Sequence, residues 1–487
     1  MTPTILEKKT ITDRLLISWI RCRRKAWLDL YEENKHKDWS AHRALQLDHQ
    51  YKSFSALLSE APNRGIEALK RGSNGVVGLR LKGIGPQGLK IEAHPPLLKK
   101  INLGSPWGDF SYIPVVAQQG RRLTREHRLS LALWSYLLEQ VQQIEVKYGL
   151  AVSIRNAGSL DIQEIAITKK LTNELFDSLK RLYKDIRKDV SPGLIADRKK
   201  CTLCSWKKLC DEKANEEEDL SEISGIGAKR KIILQEIGIK NLSQLALIDK
   251  DDLTNKLSPY GESHKKIAGQ LIRQAKVQKK LSPERLSSSM ALPELNSAEG
   301  VFIYDIESDP DAHHDFLHGF VSLAKRKDGT WLLDDVKYQP ILNLSNHTEE
   351  IAWGNIKRKL KSHPNWPVLH YGETESLSIC RMAKRQGEED KEINIIRNKF
   401  IDIHSRLKGS WVLPVNSYSL KEVAKWLKFE WSQKGSSGAK ALLWWRQCQK
   451  AISQNNIKPK QLELIMRYNQ DDCIATWKIA EWIIDKK

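Results

Sequence analysis

Val301-Phe302-Ile303-Tyr304-Asp305-Ile306-Glu307 is the stretch on which the reading of this chain turns. Four consecutive β-branched or aromatic residues predict a buried strand. Two acids then break the apolar run at alternate positions, so both carboxylates leave the strand on one face. Paired acids at the edge of a buried sheet repel each other and lose hydration, which is costly unless a cation holds them.

Further acids follow at comparable places downstream. Val368-Leu369-His370 predicts a strand that runs into Tyr371 and Gly372, with Glu375 a few residues on, and Phe400-Ile401-Asp402 predicts a strand ending in an acid. Near the end, Tyr468-Asn469-Gln470-Asp471-Asp472 begins an expected helix with Ala475, Ile479 and Trp482 on one face. Tyr468 and Asp472 are four apart, which stacks phenol and carboxylate on that helix. Singly, each acid has an ordinary explanation as a cap or a solvated loop carboxylate. As an ordered set they resemble the DnaQ-like exonucleases of the RNase H superfamily in their tyrosine-bearing form, whose pattern is Asp-x-Glu, a middle acid, then Tyr-x-x-x-Asp.

Asp305 and Glu307 match the first motif, and Tyr468 with Asp472 the last. The middle acid usually stands as Asp; here Glu375 takes the place, with Asp402 in reserve. Ser419-Leu420-Lys421, with Val423 and Leu427, is similar to a helix start of the YprB-like branch. The resemblance implies a two-metal site for phosphodiester hydrolysis. Asp305, Glu307, Glu375 and Asp472 would hold Mg2+ or Mn2+, which favour oxygen ligands, and Tyr468 would orient the attacking water.

Upstream, Leu220-x-x-Ile223-x-Gly225-Ile226-Gly227 precedes Lys229, Arg230 and Lys231, with a second turn at Tyr260 and Gly261. Two glycines one residue apart let the backbone turn tightly and present amides to a phosphate oxygen at a helix start. The segment looks like a helix-hairpin-helix element, which implies nucleic-acid backbone binding through Gly225, Gly227, Lys229 and Arg230. The Ser-, Pro- and Glu-rich stretch Leu281 to Gly300 reads as a linker.

The first block reads as α/β. It holds an amphipathic segment from Leu15 to Tyr31, strand-like runs at Val76–Leu81, Leu89–Ala93 and Phe110–Val116, and a helix from about Arg125 to Val146. It also holds four of the seven cysteines: Cys22, then Cys201, Cys204 and Cys210. Three clustered thiolates and one distant one can converge on an iron-sulfur cluster, and tetrahedral zinc could use the same sulfurs. With Arg21-Cys22-Arg23, this set resembles RecB-like nucleases that carry a 4Fe-4S cluster. The combination of all three blocks resembles the TM0106-type RecB-like nuclease family, and His94-Pro95-Pro96-Leu97-Leu98, Trp107-Gly108-Asp109 and Pro114 fit it too. An active PD-(D/E)XK site needs an acid and a lysine on the strand after the first Asp. Asp109 could be that Asp, but Val115-Val116-Ala117-Gln118-Gln119 offers neither partner, and Ser130 and Trp134 stand where Gln and Tyr belong. The first domain is expected to be catalytically dead.

The expected architecture is therefore α/β and multi-domain. A PD-(D/E)XK-like α/β domain with an iron-sulfur staple spans 1–215, a small all-α helix-hairpin-helix region 216–282, a linker 283–299, and an RNase H-like exonuclease domain 300–487. A net charge of +20 over 487 residues favours a polyanionic partner, and 16 tryptophans offer faces on which bases could stack. No long apolar run argues for a leader or membrane helix, and Cys380, Cys448 and Cys473 read as core thiols of a cytoplasmic protein. The resulting expectation is a metal-dependent 3′ to 5′ exonuclease, single-stranded DNA preferred and RNA within range, in repair or recombination, with a helicase as candidate partner. The competing reading is a non-catalytic iron-sulfur nucleic-acid-binding accessory protein.

Overall fold

The computed structural model describes residues 10–38, 40–120, 122–154, 159–331, 336–344, 349–453 and 460–486. Residues 1–9, most of the opening segment read as lacking an apolar leader, lie outside them. The chain divides into two compact units, Met1–Glu212 and Lys213–Lys487. No described helix is long and apolar enough to cross a membrane.

In the first unit the strands are β1 (Ile11–Thr12), β2 (Asn63–Arg64), β3 (Gly75–Val77), β4 (Leu81–Ile84), β5 (Lys90–Ala93), β6 (Leu97–Ile101), β7 (Ser111–Ala117), β8 (Tyr148–Ile154) and β9 (Leu160–Ala166). Six form a sheet in the order β2-β3-β6-β7-β8-β9, and β1-β5-β4 form a second. β7 and β8 are parallel, and the helix Arg125–Gln142 makes the crossover that a parallel pair requires. Its Leu129, Leu133 and Leu137 are fully buried at helical spacing. Two expected elements are each divided. Val76–Leu81 splits at Gly78, whose φ of +69° turns the chain so that β3 and β4 join different sheets. The segment from Leu15 to Tyr31 becomes two helices, Asp13–Arg21 and Arg23–Tyr31, with Cys22 extended between them (φ −162°, ψ 123°).

The second unit begins with helices, chiefly Ala228–Glu236, Leu242–Leu247, Lys250–Leu257 and Ala268–Lys280, around an apolar core that includes Ile223, Leu234, Leu245, Leu253 and Leu271. Next come β10 (Glu284–Arg285), β11 (Gly300–Asp309), β12 (His314–Ala324), β13 (Lys337–Leu342), β14 (Val368–His370), β15 (Phe400–Asp402) and β16 (Trp411–Val412). β10 lies in the stretch read as a linker, yet it pairs antiparallel with β16, while Leu292 and Leu295 bury themselves in the core nearby. A Ser/Pro/Glu-rich composition conceals those two leucines.

Five strands form one sheet in the order β13-β12-β11-β14-β15, with β11 central. β12 is antiparallel to β11, and β14 is parallel to it. Alternation along β11 separates two cores. Val301 and Ile303 pack with Trp477 and Ile479 of the helix Lys460–Asp485, whereas Phe302 and Tyr304 pack with Trp353 and Ile356 of the helix Glu349–Ser362. Asp305 and Glu307 continue the first series, so they face the C-terminal helix. A register shift follows directly at Glu307/Ser308, a bulge of the kind that re-aims side chains beside sites. The C-terminal helix starts eight positions before the expected Tyr468, because Ile465 already extends its buried face.

Candidate metal centre

β11 delivers Asp305 and Glu307, and the helix Lys460–Asp485 delivers Asp472. One carboxylate oxygen from each lies within 4.8 Å of the other two, and among the described residues this is the one such group of three or more His, Cys, Asp or Glu. Three acids so close and so buried disfavour their charged forms. Burial, then the charges of Asp472, Glu307 and Glu375, raises Asp305 well above the usual aspartate range. Glu307 is raised by burial and then by Asp472. Asp472 is pushed up by burial to about 6, against hydrogen bonds from Trp431 and Tyr468 and the Lys421 charge, which pull the other way. A divalent cation resolves the conflict that this geometry creates.

Neighbouring groups fix Asp305 and Asp472. Asn469 donates to Asp305 Oδ2 at 2.7 Å and accepts from the Tyr338 hydroxyl at 3.0 Å. Trp431 Nε1 donates to Asp472 Oδ1 at 2.6 Å, and Ser432 binds Asp471 through both its N–H and its hydroxyl. Tyr468, one turn before Asp472, hydrogen-bonds the same carboxylate, and burial holds its phenol far into the neutral form. Lys421 lies on the same side and interacts with Asp472 and Glu307.

The two candidates for a middle acid are separated by the structure. Asp402 Oδ1 accepts from the backbone N–H groups of His404 and Gly372, at 2.9 and 2.8 Å, and so caps the helix Ile403–Ser410. Glu375 is buried, its charge acts on Asp305, and its Oε2 has no hydrogen-bond partner; His370 Nδ1 lies 3.6 Å away, also unpartnered. Glu375 lies outside the tight group of three, and its charge reaches Asp305.

Elsewhere, Gly225 takes a φ of +89° and Gly227 opens the helix Ala228–Glu236 with no side-chain cap, leaving its first amides unclaimed by side chains. Lys229 is exposed, Arg230 turns back to the Gly225 carbonyl, and Lys231 is buried on Asp219 at 2.7 and 2.8 Å. In the first unit Asp109 is exposed ahead of β7, Gln118 is buried and donates to the Gly120 carbonyl, and Trp134 donates to Asp13. Cys22, Cys201, Cys204 and Cys210 face one another closely enough to interact. Burial pushes the Cys201 thiol to about 11, opposed by Arg198 and reinforced by the other three cysteines. No three of these sulfurs lie within 4.8 Å of one another. Cys380, Cys448 and Cys473 are buried in the second unit.

Three contributors escape sequence reasoning. Trp431 carries no motif, Lys421 shows only as part of a helix start, and Asn469 sits unremarked beside Tyr468. Among curated proteins, none matches the chain. A family model of the RNase H superfamily matches residues 302–484, the region that holds β11, Glu375 and the C-terminal helix. That region is accordingly an RNase H-like, nuclease-type domain with an acidic cluster suited to a divalent metal.

Proposed function

We propose that the protein is a metal-dependent 3′ to 5′ exonuclease acting on single-stranded DNA. The observation that carries this reading is the meeting of Asp305, Glu307 and Asp472 within 4.8 Å in a domain of the RNase H superfamily. The three carboxylates, with Glu375 beside them, form an all-oxygen donor set of the kind that Mg2+ or Mn2+ takes. Two such ions, when bound, would neutralise charge on the attacking and leaving oxygens of the phosphodiester. The chain's own groups do the rest. Tyr468, held neutral and tied to Asp472, is placed to orient the attacking water, and Trp431 and Asn469 keep the acids from drifting.

Gly225, Gly227, Lys229 and Arg230 would read the backbone of the nucleic acid as a helix-hairpin-helix element, by unclaimed amides and positive charge. The first unit reads as a RecB-like domain that has lost its nuclease residues and grips nucleic acid around a 4Fe-4S cluster on Cys22, Cys201, Cys204 and Cys210. A cytoplasmic role in repair or recombination, beside a helicase, suits these parts.

The test is to incubate the full chain with end-labelled single- and double-stranded DNA and RNA in Mg2+ or Mn2+, beside Asp472→Asn. Stepwise shortening from the 3′ end, lost by about 100-fold or more in the variant, is the expected result. No metal-dependent shortening, or equal shortening by the variant, overturns the reading in favour of a non-catalytic binding protein.

A further inference from the structure

Lys421 is the second residue of the helix Leu420–Trp426, behind the Ser419 cap. Its Nζ donates to the Ser436 carbonyl and lies 5.0 Å from the Tyr468 ring centroid and 5.4 Å from that of Trp431. Both rings belong to the metal centre, since each of those residues hydrogen-bonds Asp472. A lysine left to solvent keeps its rotamer freedom; this one is held by a carbonyl and two ring faces, within electrostatic reach of Glu307 and Asp472.

We propose that Lys421 is a positioning residue that keeps its charge beside Asp472 against the Tyr468 and Trp431 rings, then turns it to the phosphate of the nucleic acid. The placement beside Asp472 stands on the contacts with the Tyr468 and Trp431 rings, and the turn toward phosphate rests on the nuclease reading. Four ionised carboxylates, with Glu375 counted, are balanced by two divalent ions. The single negative charge of a phosphodiester then has Lys421 as its counter-charge. Divalent ions must also enter against the like charge of the ammonium. Removing that charge therefore strengthens metal binding while weakening catalysis, whereas loss of a purely structural lysine weakens both.

The experiment compares wild type with Lys421→Met, Lys421→Gln and Lys421→Arg, using Mn2+ alone as the probe. Free Mn2+ is counted by electron paramagnetic resonance, folding is followed by thermal melting, and single-turnover cleavage is measured at saturating Mn2+. The two neutral variants are expected to bind Mn2+ about tenfold more tightly. Their cleavage should fall about 100-fold. Lys421→Arg should stay within about threefold of wild type in Mn2+ affinity. Unchanged or weaker Mn2+ binding in the neutral variants overturns the proposal, as does failure of both to fold. If the wild type cleaves nothing, the nuclease reading fails alone and the Mn2+ titration still decides the role of Lys421.

Discussion

Gly319→Ala should damage both the stability of the second unit and its metal affinity through a single methyl group. Gly319 of β12 lies directly opposite Asp305 in the β11–β12 ladder. A Cβ there would stand 1.6 Å from Asn469 Oδ1 and 2.8 Å from its Cγ, far inside van der Waals contact. Asn469 is fully buried and cannot swing aside without losing its bonds to Asp305 and Tyr338, at 2.7 and 3.0 Å. Overpacking costs about 1–3 kcal/mol and two buried hydrogen bonds about 1 kcal/mol each, giving roughly 3–5 kcal/mol in all. For a unit of this size the melting temperature should fall by about 10 °C. Because Asp305 loses the donor that orients it, Mn2+ affinity should fall about 10- to 100-fold. Gly300→Ala is the control: its Cβ would meet the Trp366 ring at 2.1 Å, at the far end of the same sheet. It should lower the melting temperature and leave Mn2+ binding alone. Adding Asn469→Ala to Gly319→Ala relieves the overpacking alone, so it should recover only part of the lost melting temperature and none of the Mn2+ affinity. A Gly319→Ala protein that melts within about 2 °C of wild type and binds Mn2+ normally would refute the packing argument.

The metal-free site should also show a definite pH dependence. Asp472 is raised from 3.8 to about 6, so its contribution to stability is fully present below 3.8 and is lost as pH rises through about 6. Metal must displace protons, so Mn2+ binding should weaken below about pH 6 and release protons there, seen as buffer-dependent heats in calorimetry; pH-independent binding would contradict this. Trp431→Phe removes the donor to Asp472 Oδ1 and should cost Mn2+ affinity about tenfold with little change in melting, checked by the same titration. On the proposed 4Fe-4S reading, Cys204→Ser should destabilise the first unit by at least about 3 kcal/mol and leave the protein without iron. A colourless wild type with stoichiometric zinc would replace the cluster by zinc.

Much of the second unit is legible because its signals are local and periodic. Alternation along Val301–Glu307 puts both acids on one face, and four-residue spacing stacks Tyr468 on Asp472, the relations that the structure realises. What escapes depends on distant contacts. Nothing in the sequence near Gly319 says that Asn469 will fill the space a methyl would need, and nothing near Trp431 says that its indole will meet Asp472. Glu375 reads as the middle acid with Asp402 in reserve, and nothing in the sequence says that the backbone of Gly372 and His404 will claim Asp402. Likewise, Lys229, Arg230 and Lys231 read as one basic run, and only folding reveals that Lys231 is spent on Asp219. The extended break at Cys22 is hidden inside a run that is helix-forming on both sides.

The central claim is that Asp305, Glu307 and Asp472 bind divalent metal as one unit. Anomalous diffraction from a crystal of the full chain soaked in Mn2+ tests it most directly. The account predicts a manganese peak bounded by these three carboxylates, absent in Asp472→Asn. No manganese there, or a peak that survives the substitution unchanged, would contradict it.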